Sequence, residues 1–363
     1  MSIRQLVFVV PGDLGSLTGG FGYDRRMIAG LLEVGYAVDI VALDAGFPWP
    51  DAGALNRAAQ QLAAIPDGAR VVVDGLAFGA MPGLVEQHAD RLCWVALVHH
   101  PLALESGLTP QQGRALFDSE RRALGAARGV IVTSAATVRE LSAYGLAAGR
   151  VRVVNPGTDP APLATGSGAD PTRQGLALLC VATLIPRKGH AVLIDALRGL
   201  QNRAWTLHCV GSATRDVDTA NGLRSALAEC GMLDRVQLHG EVPAAVLQSM
   251  YARADAFVLP SHFEGYGMAL AEALAHGLPV VSTTAGAIPD TVPHGAGLLV
   301  PPGNTVALRA ALAALLDQPA LRARLAHGAR AARAALPTWP QAAARFAAAL
   351  ESFDIDHQPA AVP

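Results

Sequence analysis

A single lysine, Lys188, stands among the 28 Lys and Arg residues of this 363-residue chain. It lies in Ile185-Pro186-Arg187-Lys188-Gly189-His190, just after the apolar run Leu176–Thr183 and just before a segment with helical periodicity. Arg offers a rigid fork of donors and Lys a compact point charge, a pairing suited to a diphosphate. Further on, Glu264-Gly265-Tyr266-Gly267-Met268-Ala269-Leu270-Ala271-Glu272 sets two carboxylates around a glycine turn. Carboxylates accept hydrogen bonds from hydroxyls. Phosphate-binding cations in one segment and hydroxyl-binding carboxylates in another suggest a nucleotide-sugar ligand. For Arg187-Lys188 the plain alternative is a solvated surface turn. For Glu272 it is a carboxylate favoured by the dipole of the helix that begins near Met268. Glu264 reads as an isolated carboxylate in the turn.

Two further segments could do chemistry. Gly12–Gly22 contains Thr18-Gly19-Gly20-Phe21-Gly22 and follows the first apolar run. Its glycines would let backbone amides approach an anion closely. It matches neither GxGxxG nor a phosphate loop with lysine, so position alone argues for ligand contact over an ordinary flexible loop. Val98-His99-His100-Pro101 ends another run. Neighbouring side chains alternate in direction, so one of His99 and His100 is expected to face a ligand. A local, structural histidine is an equally good reading. No third metal ligand lies at a usable spacing, so no metal is expected.

These segments need elements to position them. Strand candidates are Gln5–Val10, Ala37–Leu43, Val71–Asp74, Leu92–Val98, Val130–Thr133 and Val151–Val154, then Ala177–Val181, Thr206–Val210, Val236–Leu238, Ala256–Leu259, Val280–Ser282 and Gly297–Val300. Such runs, apolar on both faces and alternating with helical segments, predict an α/β protein with parallel sheets covered by helices. The length favours two doubly wound, Rossmann-like domains over one very wide sheet. The boundary is placed in Asn155–Arg173, which has no clear periodicity. This gives an N-terminal domain of residues 1–160, a C-terminal domain of residues 161–337, and a last helix, about 338–353, returning to the first domain. Residues from Asp354 on are expected to fray. Open parallel sheets bind ligands at the carboxyl ends of their strands, so the loops after strands should carry the site.

Composition excludes several classes. Hydrophobic residues make up 51% and charged residues 16%, as in a well-buried globular protein. A net charge of −2 gives no footing for nucleic acid. Cys93, Cys180, Cys209 and Cys230 form no CxxC pair and read as reduced thiols of a cytoplasmic protein. The first residues read as a buried strand and not as a signal peptide. Arg114, Arg121 and Arg128 recur at heptad spacing on a predicted helix, which keeps peripheral contact with an anionic membrane face open. Asp118 and Glu120 dilute that stripe, and a solvated helix face is favoured.

The stretch Leu259–Gly303, with Pro-Ser-His-Phe-Glu-Gly-Tyr-Gly-Met-Ala-Leu-Ala-Glu-Ala-Leu-Ala-His-Gly-Leu-Pro-Val-Val, resembles retaining glycosyltransferases of family 4, which have the two-domain GT-B fold. Arg187-Lys188-Gly189, the Gly19-Gly20 segment and Val154-Asn155-Pro156-Gly157-Thr158-Asp159 fit the same family. Tyr266 stands where Phe is usual, Asp290 where Glu is common, and Asn155-Pro156-Gly157 where Pro-Asn-Gly is typical. The resemblance implies two domains facing across a cleft, the first binding the acceptor and the second a nucleotide-sugar donor. It implies that Arg187 and Lys188 bind the diphosphate and stabilise it as a leaving group. Glu264 would hold sugar hydroxyls and Glu272 the ribose. Amides of Gly265, Tyr266, Gly267, Met268 and Ala269 would touch sugar and phosphate, and backbone near Val242 the base. Gly19 and Gly20 would let the first loop approach the donor, and His99 or His100 would contact the transferred sugar. It implies neither cofactor nor metal. The acceptor, lipid-linked or soluble, and the donor base and sugar stay open. An epimerase of the same fold and a non-catalytic nucleotide-sugar-binding regulator remain the rival classes.

Overall fold

The computed structural model describes residues 4–169 and 175–355. The chain divides into two units, Met1–Gly157 with Pro337–Pro363, and Thr158–Leu336. Residues 170–174 of the expected linker and the tail from residue 356 lie outside the described residues.

The first unit holds β1 Arg4–Pro11, β2 Tyr36–Leu43, β3 Arg70–Asp74, β4 Cys93–Val98, β5 Gly129–Val132 and β6 Val151–Val153. They form one parallel sheet in the order β2-β1-β3-β4-β5-β6. The second unit holds β7 Leu176–Val181, β8 Trp205–Val210, β9 Val236–Leu238, β10 Ala256–Leu259, β11 Val280–Thr283 and β12 Gly297–Val300. Its parallel order is β12-β11-β10-β7-β8-β9. Every strand lies within one residue, at either end, of the apolar run that predicts it. The central strands are buried on both faces, for example Val71–Val73 and Phe257–Leu259. That burial makes an unbroken apolar run the readable signal.

In each parallel sheet the order in which strands are added reverses once. β1 has β2 on one side and β3 on the other; β7 has β8 on one side and β10 on the other. A crevice opens at such a switch point, outside the carboxyl ends of the strands. In the first unit the residues following β1, β3 and β4 meet there. In the second, those following β7 and β10 do.

The helix Trp339–Ile355 packs on the helix Gly19–Glu33. The contact is close. A Cβ added at Gly30 would lie 2.4 Å from the Cβ of Ala343, and one at Gly129 would meet the Phe353 ring at 2.4 Å. Asp354 and Ile355, expected to fray, still belong to this helix.

Three expectations are corrected. The helix of the first unit begins at Gly19, with the Thr18 hydroxyl accepting from Phe21 N, so Gly19 and Gly20 form its first turn and not a loop. The heptad stripe does not hold, because the helix Pro110–Ala126 ends before Arg128, whose backbone N–H donates to Trp94 O. Glu120 is not a surface charge on that helix. It is buried, accepting from Leu102 N at 3.0 Å and Tyr144 Oη at 2.8 Å, and burial pushes its carboxyl up to about 7. Arg114 and Arg121 are exposed, Arg121 lying 3.9 Å from Asp118. Among the described residues no helix is long and apolar enough to cross a membrane.

Candidate functional site

After β7 the chain runs to a tight turn, Pro186–Lys188, and enters the helix His190–Arg198 through Gly189. Gly189 has φ +71°, and a Cβ there would lie 2.1 Å from the carbonyl oxygen of Pro260. Only glycine lets the turn press this closely on the segment after β10. The contact is reinforced by His262 N donating to Arg187 O at 2.7 Å and by Arg187 NH1 donating to Phe263 O at 3.1 Å. Segments 76 residues apart are thereby locked at the switch point.

The lock brings the cation to the carboxylate. Lys188 Nζ lies 2.6 Å from Glu264 Oε1, and Ser261 Oγ donates to the same oxygen at 2.6 Å. Glu264 is therefore not an isolated turn carboxylate, as its sequence setting suggests. It is 6% exposed and paired with the side chain it was expected to complement across a ligand. Burial pushes its carboxyl up, but Lys188, then Arg187, and the Ser261 hydroxyl outweigh this and hold it below its ordinary value. Lys188 is half-buried and not a freely exposed cation. Downstream, Ala287 N donates to Glu264 O at 2.9 Å, fixing the turn from the side of β11.

Gly267, at φ +89°, opens the helix Met268–Ala275, and Gly265, Tyr266, Met268 and Ala269 flank that turn. Thr291 Oγ1 donates to Tyr266 O. Glu272 lies beyond the first turn of this helix, so the helix dipole is not what places it. Tyr251 Oη donates to its Oε2 at 2.9 Å. Burial pushes the Glu272 carboxyl up to about 7, the Tyr251 bond opposing this and Asp159 adding to it. Val242 lies in the connection between β9 and the helix Ala244–Arg253, partly buried against the core.

In the first unit His99 lies against two carboxylates. Its Nε2 lies 3.0 Å from Asp24 Oδ1 and 3.4 Å from Asp74 Oδ2. Asp74 ends β3 and accepts from Leu76 N at 2.7 Å. Asp24 stands one helical turn after Gly20, on the same face. A Cβ at Gly20 would lie 3.5 Å from the His99 ring, and the Tyr23 ring meets His99 edge-on at 5.2 Å. Burial alone would push the His99 imidazole down, but Asp24 and Asp74 carry it up to about 10. Burial pushes the Asp24 carboxyl up to about 7, with His99 opposing and Asp74 adding. The imidazolium is thus the favoured form at neutral pH. Removing one flanking carboxylate should lower a histidine pKa by about 1–3 units. Asp24→Asn is therefore expected to bring the His99 titration, followed by NMR of the ring protons, down toward its ordinary range. An unmoved titration would mean that Asp74 alone sets it. His100 is turned elsewhere, its Nε2 3.9 Å from Glu105.

Sequence spacing had offered no third ligand for His99. Folding gathers Asp24, Asp74 and His99 into one group and Cys180, His190 and Cys209 into another, each with its ligand atoms within 4.8 Å of one another. Asp74 could have been suspected, since it ends a strand beside the switch point. Asp24, Ser261 and Tyr251 carried no comparable signal.

Two family models match this chain: "Glycosyltransferase Family 4" over residues 47–162 and "Glycosyl transferases group 1" over residues 175–318. A D-inositol 3-phosphate glycosyltransferase of Xylanimonas cellulosilytica is 34% identical over 257 residues, 67% of this chain and 61% of that protein. An MMP alpha-(1->4)-mannosyltransferase of Mycolicibacterium hassiacum is 27% identical over 88% of this chain and 80% of its own length. Among solved structures, sucrose-phosphate synthase from Thermosynechococcus elongatus superposes with a TM-score of 0.83 at 21% identity, covering 97% of this chain and 100% of that one. Anabaena HepE in complex with UDP-glucose superposes with a TM-score of 0.75 at 20% identity, covering 96% and 99%. The chain belongs to glycosyltransferase family 4, and its fold is of the GT-B class. It spans about three-fifths of the length of the first curated relatives it matches.

Proposed function

We propose that this protein is a glycosyltransferase that moves a sugar from a nucleoside-diphosphate sugar to an acceptor hydroxyl with retention of configuration. The observation that carries this reading is the convergence of Arg187, Lys188 and Glu264 at the β7/β10 switch point. Arg187 and Lys188 take the diphosphate and stabilise the charge that develops as it leaves. Glu264 holds sugar hydroxyls, Glu272 the ribose, the amides from Gly265 to Ala269 the sugar and phosphate, and backbone near Val242 the base. In the first unit, His99 under Gly19-Gly20 serves the transferred sugar, and His100 has no part. The acceptor oxygen attacks the anomeric carbon from the face the diphosphate leaves. Its proton passes to a leaving-phosphate oxygen, and no enzyme nucleophile intervenes. HepE binds UDP-glucose, which supports a sugar nucleotide as donor. Such donors and four free cysteines support a cytoplasmic location for the reaction.

A thermal-shift panel of nucleoside diphosphates and their sugars is the first test, since a ligand at 100 times its Kd stabilises by about 2.7 kcal/mol. Turnover of the best donor is then followed with soluble inositol phosphates and with lipid-linked acceptors. Acceptor-dependent transfer supports the reading. Release of a rearranged free sugar without acceptor would make the protein an epimerase, and binding without turnover would make it a regulator. Transfer is also expected to survive brief EDTA treatment, because side-chain cations supply the charge at the leaving phosphate. Loss of activity restored by magnesium or manganese would overturn that assignment.

A further inference from the structure

We propose that Cys180, Cys209 and His190 form a buried metal site of the two-thiolate, one-imidazole type, fitted to zinc and lying beneath the Arg187-Lys188 turn. Two independent placements create it. β7 and β8 are parallel neighbours in a register that sets Cys180 directly opposite Cys209. Opposed residues of paired strands point to the same face of the sheet. His190 is the first residue of the helix that follows the turn, and it reaches back so that its Nε2 lies 3.6 Å from Cys180 Sγ. All three ligand atoms lie within 4.8 Å of one another. Tetrahedral zinc, with bonds of about 2.3 Å to sulfur and 2.0–2.1 Å to nitrogen, would set those two atoms about 3.5 Å apart.

Charge and burial agree with this choice. Cys180, Cys209 and His190 are 0%, 2% and 3% exposed. Two thiolates and a neutral imidazole around a divalent ion sum to zero, which suits an interior where a lone thiolate would be costly. Soft sulfur ligands select against magnesium and calcium. His190 Nδ1 has no hydrogen-bond partner among the described residues, so with Nε2 on the ion the ring proton at Nδ1 would stand without an acceptor. Three protein ligands leave the fourth position of a zinc tetrahedron to a small exogenous ligand.

The ion would tie β7, β8 and the helix after Gly189 into one piece, clamping the floor of the turn from below. It would not act on substrate, and brief EDTA would not strip a site so enclosed. Its presence is independent of the proposed transfer reaction, because it is read without any donor or acceptor.

The test uses the full chain grown in zinc-supplemented medium and passed over a chelating resin. Elemental analysis is expected to find about one zinc per chain, released by a mercurial as thiols react. His190→Asn and Cys209→Ala should each lose it, while Cys230→Ala keeps it. Because core variants can misfold, wild type grown with cobalt gives a second measurement, a sulfur-to-cobalt charge-transfer absorption. Wild type holding less than about 0.1 zinc per chain, even after direct titration with zinc, would overturn the proposal. So would cobalt-loaded wild type without sulfur-to-cobalt absorption, or undiminished zinc in a folded Cys180→Ser variant.

Discussion

Lys188→Ala is expected to lower turnover at least about 10²–10³-fold, the usual consequence of removing one group that stabilises developing anionic charge. Position in the sequence alone would predict a variant with an untouched fold, since a lysine in a surface turn contributes little to packing. The pairing with Glu264 changes that expectation. Glu264 is buried, and its Oε1 takes both Lys188 Nζ and the Ser261 hydroxyl. Breaking a buried ion pair by removing one partner typically costs about 3–5 kcal/mol. The low end applies here, because Lys188 keeps some solvent contact and Arg187 still stands near the carboxylate.

The pH dependence identifies the source of that loss. In wild type Glu264 is held below its ordinary value, so the pair's stabilisation is complete above the unfolded carboxyl pKa. It disappears as pH falls through the folded one. The stability gap between wild type and Lys188→Ala should therefore be widest at neutral pH and close in acid, as urea titrations at a series of pH values will show. A gap that persists in acid would point to lost packing and not to lost charge. Near-normal turnover in the purified variant would dismiss the phosphate role outright.

The two carboxylates should separate cleanly in calorimetry with a bare nucleoside diphosphate. Glu264→Gln is expected to reduce transfer severely, because it loses charge-assisted hydrogen bonds to sugar hydroxyls worth about 1.5–3 kcal/mol each. Yet it should bind the bare diphosphate as well as wild type or better. In the absence of donor Glu264 engages Lys188, and a phosphate must share or displace that contact. Glu272→Gln should do the reverse and bind the diphosphate more weakly, by the same 1.5–3 kcal/mol per lost bond, or about 10- to 150-fold.

Stability should move the other way in Glu272→Gln. The Glu272 carboxyl is raised to about 7 by burial, so the folded protein binds its proton more tightly than the unfolded chain does. Its contribution to stability accordingly falls as pH rises from about 4.5 to 7. Replacing it with Gln removes a partly buried charge, and the ligand-free variant should melt higher than wild type at pH 8. Weaker binding in a more stable protein would mark Glu272 as a residue kept for its ligand. Equal weakening of diphosphate binding in both variants would show that the donor is divided between them differently.

Local features of the chain were readable without a structure. Central strands buried on both faces are apolar throughout, and the partly exposed edge strands among the described residues also lie within a residue of their apolar runs. Glycines at Gly189 and Gly267 mark turns, because only glycine takes a positive φ without strain. The chemical types of Arg187, Lys188, Glu264 and Glu272, and the spacing of the last two, point by themselves to a phosphate-and-hydroxyl ligand.

What the sequence could not hold was who meets whom. Lys188 and Glu264 are separated by 76 residues, and their pairing depends on β7 and β10 lying side by side in the sheet. Asp24, Asp74 and His99 are joined only where β1, β3 and β4 end together. The same applies to Cys180, Cys209 and His190, which strand register and a helix start bring together. Glu120 reads as a surface charge on an amphipathic helix, and Glu272 as a dipole-favoured one. Glu120 is buried and Glu272 partly buried, and a tyrosine from elsewhere in its unit, Tyr144 or Tyr251, donates to each carboxylate. Burial and long-range electrostatics are properties of the folded arrangement. They set the protonation of His99, Glu264 and Glu272, where residue types alone could only name the groups to be set.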